Sequence, residues 1–97
     1  MSDDLLRIQQ ILSRNREGLF RKYPLKRLGI FGSVVRGDAG PDSDVDILVE
    51  FSGPIGFEVA DLAGELEEIL GRPVDLLTAG AIRERMRARI ESSLVYV

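Results

Sequence analysis

Leu5, Ile8 and Leu12 recur at helical spacing, which predicts an amphipathic helix over 3–22, with Ser2 or Asp3 near its cap and Pro24 as its stop. The period then changes. LKRLGIF, residues 25–31, reads as a strand running into a Gly32-Ser33 turn, and SVVR as a short helical turn before Gly37. DAGPDS, residues 38–43, combines Gly, Pro, Asp and Ser and reads as a loop. From Asp44 to Phe51 the residues Val45, Ile47 and Val49 alternate on one face, the mark of a second strand. After a further loop, SGPIG, a helix is expected over 57–70 with Val59, Leu62, Ala63, Leu66 and Leu70 inward, stopped by Gly71. RPVDLLT, residues 72–78, is a third short strand, and 80–92 a closing helix with Ile82, Met86 and Ile90 spaced by four. This order predicts an α+β fold, a compact three-stranded mixed sheet packed with helices, with residues 1–97 forming one domain.

Composition narrows the chemistry. An apolar fraction of 44% and a charged fraction of 30% are those of a globular chain. No apolar run approaches the roughly 18 residues of a membrane span, and the start MSDDLLRIQQ is no signal peptide, so a cytoplasmic location is expected. There is no cysteine, which removes thiolate catalysis, disulfides and zinc-thiolate sites. There is no histidine, which removes the usual general base near neutral pH. Any metal chemistry must run on oxygen ligands, which suit magnesium, manganese or calcium.

Charge is segregated along the chain. Residues 1–36 hold eight Lys/Arg against three acids, residues 37–71 hold ten acids and no Lys or Arg, and residues 72–97 hold five Arg against three acids. The acids from Glu58 to Glu68 read as solvated helix surface. The cluster from Asp38 to Asp46 is different, because it runs into an apolar strand.

Asp44 and Asp46, at i and i+2 of a strand, share one face about 6.6 Å apart along the chain. At an effective dielectric near 20 two such carboxylates repel by about 3 kcal/mol. One or two divalent ions turn that cost into a clamp. Asp75, inside V-D-L-L, is the third candidate: a carboxylate among branched apolar residues is expensive unless paired or on a metal. Its blander reading is a strand-edge Asp in water. Gly32 allows close backbone approach to a phosphate, Ser33 adds a hydroxyl donor, and Arg36 offers a charge-assisted contact. By itself a Gly-Ser pair is explained by a plain turn, so its weight comes from the combination with the acids. Two other motifs fail: an EF-hand counted from Asp42 would need glycine at Ile47 and glutamate at Gly53, and a Walker A loop would need a lysine before Ser33.

Gly32-Ser33, ten residues, then Asp44-Val45-Asp46 resembles the signature of the DNA polymerase beta-like nucleotidyltransferase superfamily. GSVVRG, SDVDILVEF and LEEILGRPVDLLT further resemble the minimal nucleotidyltransferase family, and with the terminal helices they cover nearly the whole chain. Val35 departs from the pattern, standing where a small residue is expected before the arginine. The resemblance implies a polymerase beta-like core and a two-ion magnesium or manganese site held by Asp44, Asp46 and Asp75. It further implies ATP as substrate, its triphosphate placed by Gly32, Ser33 and Arg36.

Larger members of the superfamily add domains that grip the base and the acceptor. This chain is occupied by the catalytic core, so the acceptor is expected on a partner or in a dimer. Minimal members pair with a HEPN-domain toxin and act as its antitoxin by adenylylating a tyrosine; that is the function the resemblance implies. Nucleic acid and membrane are not expected as direct substrates or partners, and a homo-oligomer stays open. The alternative is a binding-only antitoxin module with a relic site. The basic stretch RERMRAR reads either as a partner or nucleic-acid surface or, more simply, as a solvated helix face.

Overall fold

The computed structural model describes residues 3–97. A long helix α1 (Asp3–Lys22) leads to strand β1 (Leu25–Phe31), a one-turn helix α2 (Ser33–Arg36) and strand β2 (Val45–Phe51). Helix α3 (Glu58–Leu70) and strand β3 (Val74–Thr78) follow. A 3-10 turn at Ala79–Ala81, helix α4 (Glu84–Glu91) and strand β4 (Val95–Tyr96) complete the chain. Ser2, one of the two expected caps of α1, lies outside the described residues.

α1 buries Leu5, Ile8, Leu12 and Leu19, one stripe at 3.6-residue periodicity. Acids in its first turn and Arg21 and Lys22 in its last both complement the helix dipole. The chain leaves α1 where Pro24 cannot continue it, and α3 ends at Gly71 in the left-handed conformation.

The sheet order is β3-β2-β1-β4, antiparallel except for the parallel β2–β3 pair. The sheet thus has four strands where three were expected. Two residues, Val95 and Tyr96, carry no period a sequence reader can detect; they pair with Ile30 and Gly29 because the chain end is brought back along β1. Gly29 makes room for that return, since a Cβ there would come within 2.8 Å of the Leu94 side chain.

One face of the sheet, with Leu28, Ile30, Val45, Ile47 and Val49, packs on α1 and on Leu62, Leu66 and Leu70 of α3. Each fully buried aliphatic side chain contributes about 1.5–3 kcal/mol of transfer free energy. The opposite face carries Asp46, Leu48 and Glu50 and is partly covered by α4 through Ile90, which is buried. The expected closing helix over 80–92 is therefore corrected. A 3-10 turn containing Gly80 comes first, and Ile82 and Arg83 are extended before the helix starts at Glu84. Ile90 alone of the three apolar positions is buried, while Met86 is 42% exposed. Val59 and Ala63 are only half-buried on α3, at the margin of its stripe.

Candidate active site

Asp46 is the second residue of β2. In the sheet it stands between Phe31 of β1 and Asp75 of β3. Register partners in a ladder share a face, so Asp46 and Asp75 project together. Asp44 lies just before the strand begins, two residues along. Asp46 is half-buried, whereas Asp44 and Asp75 are exposed. Burial is the main cause that pushes the Asp46 carboxyl above its ordinary range; the charges of Asp75 and then Asp44 push the same way, and Arg36 opposes them. The two flanking acids therefore act on Asp46 through the same small space.

The cost of burial expected for a carboxylate inside V-D-L-L does not arise at Asp75, which is exposed. β3 is the sheet's edge, and Asp75 is in contact with water. What links it to the site is register, not desolvation. Among the described residues no three acidic side chains are drawn together into a ready-made ligand cluster. Like charges hold apart, and only Asp46 is fixed by burial. The donor set still fits a hard divalent cation, because all three groups offer carboxylate oxygens, Asp46 and Asp75 share a face, and the central carboxylate is destabilised by its neighbours.

Gly32 ends β1 with φ 77° and ψ −146°, a conformation reserved for glycine. A Cβ at this position would collide with Asp46 Oδ2. The glycine thus clears space against the carboxylate, which is a different service from the phosphate approach expected of it. Its N–H is already engaged, donating to Ser93 Oγ at 3.1 Å. Its carbonyl accepts the Arg36 N–H at 3.1 Å, which closes the single turn of α2. Ser33 is half-buried, and its hydroxyl has no hydrogen-bond partner among the described residues. Arg36 reaches Asp38 with Nε 3.0 Å from Oδ2. Val35 tucks partly against the core, so the larger residue there is accommodated inward.

Beside the carboxylates lies a cavity of about 280 Å³, bounded by Phe31, Asp46, Asp75, Leu77, Met86 and Arg89, with Gly32, Arg36 and Ser93 also on its wall. Phe31, Leu77 and Met86 give one apolar side; Arg36 and Arg89 bring positive charge to a site that otherwise carries only negative charge. Arg89 forms no ion pair among the described residues. Sequence reading missed Met86, Arg89 and Ser93. Met86 falls among the apolar positions spaced by four on the expected closing helix and Arg89 within the basic stretch RERMRAR, and the sequence does not state which way that helix faces. A signal existed in the i, i+3 spacing of Met86 and Arg89, which puts them on one side of α4. The arrangement can hold a cation with oxygen ligands next to a slot that accepts a polyanion with an apolar portion.

The nucleotidyltransferase domain family matches residues 12–97 of this chain. The protein adenylyltransferase MntA of Thermococcus cleftensis is 36% identical over 91 residues, covering 93% of this chain and 92% of that protein. A Methanocaldococcus jannaschii protein named as a protein adenylyltransferase is 39% identical over 97 residues, covering 96% and 97%. Among solved structures, a minimal nucleotidyltransferase superposes with a TM-score of 0.73 at 31% identity, covering 91% of this chain and 93% of that one. A complex of tri-AMPylated Shewanella oneidensis HEPN toxin with MNT antitoxin gives 0.68 at 20% identity, covering 92% and 70%, a likeness of fold.

Proposed function

The chain belongs to the nucleotidyltransferase domain family, and from that membership we propose a metal-dependent protein adenylyltransferase that moves AMP from ATP to a tyrosine of a HEPN-domain toxin and thereby acts as its antitoxin. The observation that carries this reading is the register pairing of Asp46 with Asp75, with the charges of Asp75 and Asp44 both acting on Asp46 and Gly32 vacating the space against it. The names of the adenylyltransferase relatives and the toxin–antitoxin fold neighbours support it.

In this reading Asp44 and Asp46 would hold two magnesium or manganese ions, and Asp75 would complete the site on the acceptor side. When bound, the ions supply Lewis acidity toward the phosphates and a lowered pKa for the acceptor hydroxyl. The Ser33 hydroxyl donates to the triphosphate, and Arg36 and Arg89 neutralise it from either side. Phe31, Leu77 and Met86 exclude water from the slot. A bond forms between the tyrosine oxygen and the α-phosphorus, the bond from that phosphorus to pyrophosphate breaks, and the phenol proton leaves to solvent past exposed Asp75. The absence of histidine is no obstacle to this chemistry.

The test is to incubate the protein with magnesium, ATP and its HEPN-type partner, then weigh the intact partner. The expected product is the partner heavier by one AMP with wild type and unmodified with Asp46→Asn or Asp75→Asn. A partner that is neutralised while its mass stays unchanged would establish the binding-only alternative instead.

A further inference from the structure

Arg72 is the one charged residue among the described residues that is buried, at 7% exposure. It immediately precedes Pro73 and β3, and its guanidinium reaches three places. Nε and Nη2 donate to the Ser43 carbonyl at 3.1 and 2.9 Å, and Nη2 also donates to the Gly40 carbonyl at 3.1 Å. Nη1 donates to Asp4 Oδ1 at 2.7 Å, and the other oxygen of that carboxylate is buried with no hydrogen-bond partner among the described residues. The loop itself is cross-tied, with the Gly40 N–H donating to Ser43 Oγ at 2.9 Å and the Ser43 N–H to the Gly40 carbonyl at 3.1 Å.

Asp44 follows directly. It lies outside β2, so no strand ladder of its own fixes it. On its amino side the Ser43 carbonyl is forked by Arg72. On its carboxyl side the Val45 N–H donates to the Pro73 carbonyl at 2.9 Å. Residues 72 and 73 thus grip the backbone on both sides of Asp44, and Asp4 holds the guanidinium in place from α1. A planar fork with five donors spread over three nitrogens can serve two carbonyls and a carboxylate at once, whereas a lysine's three donors radiate from a single nitrogen.

We infer that Arg72 is a positioning residue for Asp44: it sets the 40–43 loop so that the exposed Asp44 carboxylate is held toward Asp46 and is available as a metal ligand. This rests on the metal-site reading above. Groups that orient a metal ligand without touching the ion change affinity by about 10–100-fold when removed.

The experiment is a double-mutant cycle read by calorimetric Mn2+ binding to the full-length protein, with thermal melts alongside. Arg72→Gln should weaken Mn2+ binding about 10–100-fold in the wild-type background and change it little once Asp44→Asn is present. In an Asp75→Asn background it should retain its full effect. If Arg72→Gln does not fold, the same cycle is run with Arg72→Lys, which keeps the charge but loses the fork, and with Asp4→Asn, which loosens the guanidinium from behind. Both should lower affinity in the same direction. A lowered melting temperature with unchanged Mn2+ affinity, or an equal loss with and without Asp44→Asn, would make Arg72 a purely structural staple and overturn the inference alone. Should Asp44→Asn leave Mn2+ binding unchanged, the metal-site reading fails, and this inference with it.

Discussion

At the scale of residues, Asp46 concentrates the physics of the site. It is half-buried, crowded by two other carboxylates and partly relieved by Arg36, so its carboxyl titrates above the ordinary value of 3.8. The sign of the consequence follows from linkage. A raised folded-state pKa contributes stability that is fully present below the unfolded value and is lost as pH rises through the folded one. At neutral pH the ionised Asp46 is therefore a net cost to the metal-free fold. Asp46→Asn should melt at a higher temperature than wild type at pH 7, and the gap should close below about pH 3.8, where both side chains are neutral. Melting curves across that range without metal check this; a variant less stable than wild type at pH 7 would mean that a favourable contact holds the carboxylate. Gly32 is the other constrained position, doubly so, because its φ of 77° lies in the positive range that side chains avoid and its missing Cβ is where Asp46 stands.

At the scale of elements, the two faces of the sheet have different duties. Leu12 of α1 is fully buried against the β1–β2 face, whereas Met86 of α4 is 42% exposed on the wall of the site cavity. Leu12→Ala should cost about 2–5 kcal/mol in denaturant unfolding, the range for a buried leucine whose neighbours cannot close the gap. Met86→Ala should leave global stability within about 1 kcal/mol, because its side chain buries only part of its surface. Its effect should appear in nucleotide affinity, measured by calorimetry. Equal unfolding losses for the two would mean that α4 is as much a part of the core as α1. The parallel β2–β3 pair needs a crossover, and α3 supplies it while Glu67 accepts the Val74 N–H at 2.9 Å to start β3 in register. That register is what puts Asp75 beside Asp46.

For the molecule as a whole, the acidic middle third divides into two populations once folded. The α3 acids face solvent or pair outward, as Glu65 does with Lys22 at 2.6 Å, while Asp46 lies beside Asp75 in register and feels the charges of Asp75 and Asp44. A ligand that binds only the folded state stabilises it by mass action, about 2.7 kcal/mol at a hundred times its Kd. Magnesium or manganese should raise the melting temperature of wild type, more so with ATP, and Asp44→Asn combined with Asp46→Asn should abolish the shift while the fold persists. Differential scanning fluorimetry over a metal titration reads this directly; an undiminished shift in the double variant would remove the carboxylates from the metal site.

Local chemistry alone determined much of this protein. The stripe of α1, the alternation of Val45, Ile47 and Val49, and the stops at Pro24 and Gly71 are short-range signals, and the structure carries them within a residue or two. The combination of Gly32-Ser33 with Asp44 and Asp46 is an expectation from a resemblance in spacing; what puts Gly32 against Asp46 is the antiparallel register of β1 and β2. Only the tertiary structure decided the rest. Strand β4 exists because the chain end returns to β1, and Asp75 joins the site through a register between strands about 30 residues apart in sequence. Arg89, Met86 and Ser93 reach the cavity because α4 folds across the open sheet face, and Arg72 reaches the loop before Asp44 because it is buried between α1 and that loop. The i, i+3 spacing of Met86 and Arg89 and the V-D-L-L around Asp75 mark these residues along the chain without saying where they land. Each placement is set by which surfaces meet when the core closes, a balance of packing over the whole chain.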